Sequence, residues 1–214
     1  MKKLVIIGAG GFGREVQWLI ERINEREATW ELLGYVDDGV EKGTIVDGLP
    51  VLGTVKELRE REESLAVVCA VGASVTRRKI MEQILDNTKL EFPNLIDPSV
   101  QMSNRIDMGR GNIICAGNIL TVDITMGDFN IVNLDCTVGH DVVFDSYITV
   151  YPSVNISGCV EIGEKVELGT GSQIIQGIHI VEDTIVGAGT VVVRNLAEAG
   201  TYVGVPAKKL MNQK

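Results

Sequence analysis

Apolar residues recur with a period of six through the second half of the chain. Every sixth position from Ile96 to Val192 is large and apolar, including Ile114, Leu120, Val138, Phe144, Val150 and Leu168, an unbroken run of seventeen. With about one residue in two apolar, chance produces such a run about once in 10⁵ trials. The next position is glycine in six hexads, at Gly109, Gly127, Gly139, Gly163, Gly169 and Gly187, and the position four after the aliphatic is never charged, with Asn112, Asn118 and Asn130 among its occupants. This pattern predicts a parallel β-helix of triangular section. Each hexad supplies a short strand and a corner, with the aliphatic side chain inward, a glycine easing the backbone near the turn and a small residue filling the corner. Three hexads make an 18-residue coil, and successive coils pair as parallel strands ~4.8 Å apart.

The first ninety residues read differently. Residues 2–7 read as a buried strand, apolar from Leu4 to Ile7, followed by Gly-Ala-Gly-Gly-Phe-Gly (8–13) and a helical pattern over 14–26. Strands are expected at 30–36 and 65–71, and helices at 54–63 and 75–85. Alternating strands and helices imply a parallel sheet of Rossmann-like winding. Phe92-Pro93-Asn94 interrupts regular structure just before the repeat. The expected domains are therefore 1–92, an α/β nucleotide-binding unit, and 93–214, the β-helix with a C-terminal strand or tail.

Gly8, Gly10 and Gly13 fit G-x-G-x-x-G between a strand and a helix, where glycines permit a tight turn and let a diphosphate approach the helix N-terminus. Asp37 and Asp38 close the second strand, placing carboxylates where a ribose or base would lie, and Gly72 follows the next one as a further wall. A purely structural Gly-rich turn accounts for the same residues.

Charge and cysteine usage narrow the partners. The net charge is −9 with no basic run, so nucleic acid is not an expected partner. The apolar run at 4–7 is too short for a signal peptide or a membrane span, and Cys69, Cys115, Cys136 and Cys159 show no CxxC spacing. A cytoplasmic protein with reduced thiols and no membrane insertion is expected.

Two histidines are available. His140 lies in a Val-Gly-His-Asp-Val corner beside Asp141; Gly158 follows one coil later and Asp123 precedes Asp141 by one coil. A histidine with a carboxylate neighbour suits general-base chemistry, although a solvated surface pair gives the same spacing. His179 ends its hexad with no acidic neighbour evident in the sequence and reads as a surface residue. Two histidines do not supply the three-His set common at catalytic zinc, and no metal is expected.

These motifs resemble the NeuD/PglD-type bacterial sugar acyltransferases within the hexapeptide-repeat acetyltransferases. The resemblance rests on Gly-Ala-Gly-Gly-Phe-Gly (8–13), Gly-Tyr-Val-Asp-Asp (34–38), Phe-Pro-Asn-Leu-Ile (92–96), Gly-His-Asp (139–141), Val-Gly-Ala-Gly-Thr (186–190) and Gly-Val-Pro-Ala-Lys (204–208), in the family's order. It implies a left-handed β-helix, a homotrimer with acetyl-CoA held between neighbouring subunits, and a nucleotide-activated sugar held by the N-terminal domain. It also implies His140 as catalytic base supported by Asp141, the Gly158 N–H against the thioester oxygen, and Asn133 in the same pocket. Gly10, Gly11, Phe12, Asp37, Asp38 and Gly72 align with nucleotide-sugar contacts; Gly158, Thr149, Thr170 and Ala188 align with the acetyl-CoA site. This chain has Phe12 where several members carry a histidine, and Thr149 where some carry a second active-site histidine.

The expected activity is direct acetyl transfer from acetyl-CoA to the amino group of a nucleotide-linked sugar. Sugar O-acetylation is the close alternative. A non-catalytic sugar-nucleotide-binding protein and an NAD-linked oxidoreductase are the readings from other classes.

Overall fold

A computed structural model describes residues 1–211. The chain divides into two compact units, Met1–Pro98 and Ser99–Lys214.

The first unit is an α/β layer. Its strands are β1 (Lys2–Ile7), β2 (Trp30–Val36), β3 (Ile45–Val46), β4 (Leu49–Gly53), β5 (Leu65–Cys69) and β6 (Leu90–Glu91), ordered β3-β4-β2-β1-β5-β6 across one sheet. All neighbours pair in parallel except β3 and β4. That hairpin turns on Asp47-Gly48, both at positive φ (42° and 80°), the conformation an Asp-Gly pair favours in a two-residue loop. Leu4 to Ile7 are at most 2% exposed, the pattern of a central strand covered on both faces.

The helices are α1 (Gly11–Arg26), α2 (Val55–Arg59) and α3 (Ser74–Met81). Helix α1 buries Gly13, Val16, Leu19 and Ile20, a stripe at helical spacing. It begins at Gly11, three residues earlier than the apolar pattern indicates, so the glycine motif supplies its first turn. Helix α2 is shorter than expected. Thr54 and Glu57 form a reciprocal capping box at its start, and the Asn87 amide donates to the carbonyls of Leu58, Arg59 and Arg61 at its end. Helix α3 ends at Met81, where Gln83 and Ile84 bond back to Ile80 and Met81 and tighten the chain into turns.

The second unit is a β-solenoid of the left-handed β-helix type. Its first sheet contains Ile113–Ile114, Ile131–Val132, Thr149–Val150, Glu167–Leu168 and Thr184–Val186. The second contains Gln101–Met102, Ile119–Leu120, Thr137–Val138, Asn155–Ile156, Gln173–Ile174 and Val191–Val192. The third contains Ile106–Met108, Ile124–Met126, Val143–Phe144, Glu161–Ile162 and His179–Ile180. Partners along each stack are 18 residues apart, as in Ile131↔Thr149↔Glu167. The tail extends the first sheet with Gly200–Val203, and Lys208–Lys209 folds back antiparallel onto it.

The hexad aliphatics from Ile114 to Val192 are all 3% exposed or less. The first three positions differ from the expectation: Met102 is 38% exposed, and Ile96 and Met108 are half-buried. The strands of Met102 and Met108 lie at the edges of the second and third sheets, so a coil stacks on only one side of them.

The hexad glycines serve a different purpose from the one expected. Positive φ falls two positions later, at every sixth residue from Gly111 to Gly189, including Asp123, Asp141 and Cys159. The glycines instead allow close coil stacking. A Cβ on Gly139 would lie 2.6 Å from the Gly158 nitrogen, and one on Gly169 would lie 2.6 Å from the Ala188 nitrogen. Fully buried asparagines tie coils together: the Asn118 amide donates to the carbonyls of Cys115 and Asn133, while its oxygen accepts the Cys136 N–H.

Candidate active site

His140 and Gly158 share the corner between the second and third sheets, one coil apart. A Cβ on Gly158 would sit 2.5 Å from His140 Nε2, so the imidazole lies against the bare backbone of the next coil. On the other side of the ring, Nδ1 is 2.7 Å from Asp141 Oδ2, while both side chains remain about half exposed (51% and 58%). The carboxylate holds Nδ1 and leaves Nε2 as the free nitrogen beside Gly158. The Gly158 N–H has no backbone acceptor among the described residues. Asp123, in the preceding coil, pairs with Arg105 at 3.1 Å. His179 does have an acidic partner: Glu161, one coil earlier in register, lies 3.3 Å from its Nδ1.

The other expected acyl-site residues lie elsewhere on the coil. Asn133 follows Ile131–Val132 at the corner between the first and second sheets, and its Oδ1 accepts the Leu134 N–H at 2.7 Å. Thr170 and Ala188 are exposed at the same corner in later coils, linked by the Gly189 N–H to the Thr170 carbonyl at 2.8 Å. A single chain thus presents His140 and Gly158 on one corner, and Asn133, Thr170 and Ala188 on the neighbouring one. Thr149 is also expected at the acetyl-CoA site. It is 1% exposed, in the middle of the first sheet between Ile131 and Glu167.

In the first unit the expected residues gather at the carboxyl ends of β1, β2 and β5. Gly8 and Gly13 are required by the protein itself: Gly8 has φ +101°, and a Cβ on Gly13 would lie 2.0 Å from the Gly8 carbonyl oxygen. Gly10 and Gly11 are not. A Cβ on Gly10 meets nothing within 4 Å, and one on Gly11 meets only the Arg14 guanidinium at 4.0 Å. Gly10 caps α1 with no side-chain hydrogen bond. Phe12 lies in the first turn of that helix.

Asp37 and Asp38 carry structural bonds that the sequence did not reveal. Asp37 accepts the Ala9 and Gly39 N–H groups, both at 2.8 Å, and Asp38 accepts the Val55 N–H at the start of α2. A carboxylate has further lone pairs, so both can still accept from a ligand. Gly72 is held by Arg77. This buried side chain donates from Nη1 to the carbonyls of Val71 (2.6 Å) and Gly72 (2.9 Å). Arg77 was not singled out from the sequence, where it is one of several charges on α3; only its 1% exposure distinguishes it.

Cys159 lies at the same corner as His140, a placement not noted from the sequence. It follows Asp141 by 18 residues, so the register arithmetic that pairs Gly158 with His140 also finds it. No helix among the described residues is long and apolar enough to cross a membrane.

The β-solenoid, its paired His140 and Asp141, and the glycine-rich N-terminal loop define a hexapeptide-repeat acyltransferase with an appended N-terminal α/β unit. Comparison with known proteins narrows the class. Residues 3–84 match the family model for the PglD N-terminal domain. The chain is 29% identical over 185 residues to GDP-perosamine N-acetyltransferase of Escherichia coli O157:H7, covering 86% of this chain and 82% of that one. It superposes on the acetyltransferase domain of PglB from Neisseria gonorrhoeae, solved with acetyl coenzyme A, with a TM-score of 0.89 and 32% identity, covering 98% and 99% of the two chains. PerB from Caulobacter crescentus, solved with CoA and GDP-perosamine, gives a TM-score of 0.87 at 33% identity, covering 99% and 98%. The chain belongs to the NeuD/PglD-type sugar acyltransferases.

Proposed function

We propose that this protein transfers the acetyl group of acetyl-CoA directly to the amino group of a nucleotide-linked amino sugar. The observation that carries this reading is the placement of His140: Nδ1 is held by Asp141 and Nε2 lies against Gly158. The sugar amine attacks the thioester carbonyl as His140 Nε2 accepts its proton. The negative charge on the carbonyl oxygen is stabilised by the Gly158 N–H. Collapse breaks the C–S bond, forms the amide and releases the CoA thiol. The thioester is already activated, so neither a protein nucleophile nor a metal is needed.

The N-terminal unit is read as a Rossmann-like domain for the nucleotide sugar. The vacant space at Gly10 and Gly11, beside the uncapped start of α1, suits a diphosphate, which would accept from free helix N–H groups. Asp37, Asp38 and Gly72 would form the walls. GDP-perosamine, the nucleotide sugar bound in the Caulobacter structure, makes GDP-linked amino sugars the first candidates.

The acyl site is read as shared between subunits of a cytoplasmic homotrimer. His140 and Gly158 occupy one corner of the coil, whereas Asn133, Thr170 and Ala188 occupy the next, so corners of two neighbouring copies together would complete one site. The test is incubation of the purified protein with acetyl-CoA and a panel of GDP- and UDP-linked amino sugars, with CoA thiol release and product mass as readouts. Acetylated amino-sugar nucleotide supports the reading; sugar-nucleotide binding without thiol release overturns it.

A further inference from the structure

The corner that carries His140 also carries a thiol. Asp141 and Cys159 stack one coil apart, both at positive φ (58° and 56°), and the Cys159 N–H donates to the His140 carbonyl at 2.8 Å. His140, Asp141 and Cys159 are all exposed, and a ring nitrogen, a carboxylate oxygen and the thiol Sγ lie within 4.8 Å of one another. No other His, Cys, Asp or Glu group among the described residues comes together in this way.

We propose that His140, Asp141 and Cys159 form an inhibitory site for zinc or a similar thiophilic divalent cation. Nitrogen, oxygen and sulfur ligands together suit a borderline-soft cation, whereas magnesium and calcium would find one oxygen and two poor ligands. Tetrahedral zinc with bonds of about 2.0–2.3 Å places its ligand atoms about 3.3–3.8 Å apart, within reach of modest side-chain rotations here. Three protein ligands leave one position for water. A metal on Nε2 takes the lone pair that would accept the substrate proton, and a metal on Nδ1 leaves the ring proton on Nε2, so either way metal binding and turnover exclude each other. That inhibition rests on the proposed acetyl transfer; the metal site itself does not.

Two measurements on the full-length, chelator-stripped protein separate the parts. Co²⁺ alone, added as a spectroscopic probe, is expected to produce thiolate-to-metal charge-transfer absorption that Zn²⁺ displaces, and Cys159→Ser and His140→Ala should each abolish it. Zinc should inhibit acetyl transfer reversibly. Cys159→Ser is expected to keep metal-free turnover while losing at least about tenfold in zinc sensitivity. Circular dichroism of both variants establishes that they fold, and Cys159→Ala provides a second replacement. Absence of the cobalt band, or equal zinc inhibition in wild type and Cys159→Ser, overturns the proposal. Because the cobalt measurement needs no turnover, failure of the acetyl-transfer assay leaves the metal site standing. Loss of metal-free turnover in a folded Cys159→Ser variant would instead place the thiol in the reaction and overturn a purely inhibitory role.

Discussion

The imidazole of His140 fills the space in which a side chain on Gly158 would begin, with Nε2 2.5 Å from the position of that Cβ. The packing makes Gly158 a requirement of the candidate site rather than of the strand. Gly158→Ala is therefore expected to push the ring off its position and lower kcat by about 10²-fold or more, the scale of losing a positioned general base. The global fold should remain, because the ring is exposed and can swing outward. Paired kinetics and thermal unfolding check this.

His140→Ala is expected to lower kcat by ~10²–10⁴. Asp141→Asn should cost less, because an amide oxygen can still accept from Nδ1 and orient the ring. Neither should change the Kd for acetyl-CoA substantially, since Thr170 and Ala188 lie on a different corner. Steady-state kinetics alongside calorimetric CoA binding on the same preparations is the check. Near-wild-type turnover in His140→Ala would remove the proposed base.

Two glycines of one motif should respond in opposite ways. Gly13→Ala places a methyl 2.0 Å from the Gly8 carbonyl and should cost about 1–3 kcal/mol of stability. Gly10→Ala meets no protein atom within 4 Å and should stay within about 1 kcal/mol of wild type. It should nevertheless raise KM for the nucleotide sugar, because the vacant space is assigned to the ligand. Urea unfolding and substrate titration together distinguish the two effects.

The thiols divide by environment. Burial pushes Cys69 up to about 12 and Cys136 up to about 11, Cys115 is buried, and Cys159 is exposed. A short iodoacetamide pulse at pH 8 should label Cys159 first and the other three only after denaturation, as read by peptide mass spectrometry. The raised values also carry a sign. Between pH 9 and pH 11 the unfolded chain releases thiol protons that the fold retains, so these groups lower stability as pH rises. Cys69→Ala should flatten part of that alkaline slope.

Asn118 holds four backbone groups inside the solenoid with a fully buried side chain: the carbonyls of Cys115, Val132 and Asn133 and the Cys136 N–H. Asn118→Ala is expected to cost about 2–3 kcal/mol by leaving those groups unpaired. Chemical denaturation measures it. Turnover should fall as well, because Asn133 sits on the segment that Asn118 anchors.

The six-residue period determined the solenoid from the sequence by itself, because every coil repeats the same local demand: one aliphatic inward and a tight corner between short strands. The same arithmetic brought Gly158 to His140, since stacked coils keep one register and 18 residues always return to the same corner. It could equally have brought Cys159 to Asp141. Strand–helix alternation in the first ninety residues was legible for the same reason, as periodicity is a property of neighbours along the chain. The coil arithmetic also separates Asn133, Thr170 and Ala188 from His140, because adjacent hexads point in different directions around a triangle, but it does not give the burial or bonding of any of them. What only the tertiary structure decided were consequences of distance across the fold. Thr149 is buried in the middle of the first sheet, between Ile131 and Glu167. Asp37 and Asp38 hold backbone N–H groups of other loops, and Arg77 is buried beneath Gly72. Burial and the pairing of polar groups depend on every element that packs around a residue, and no local pattern encodes which elements those will be.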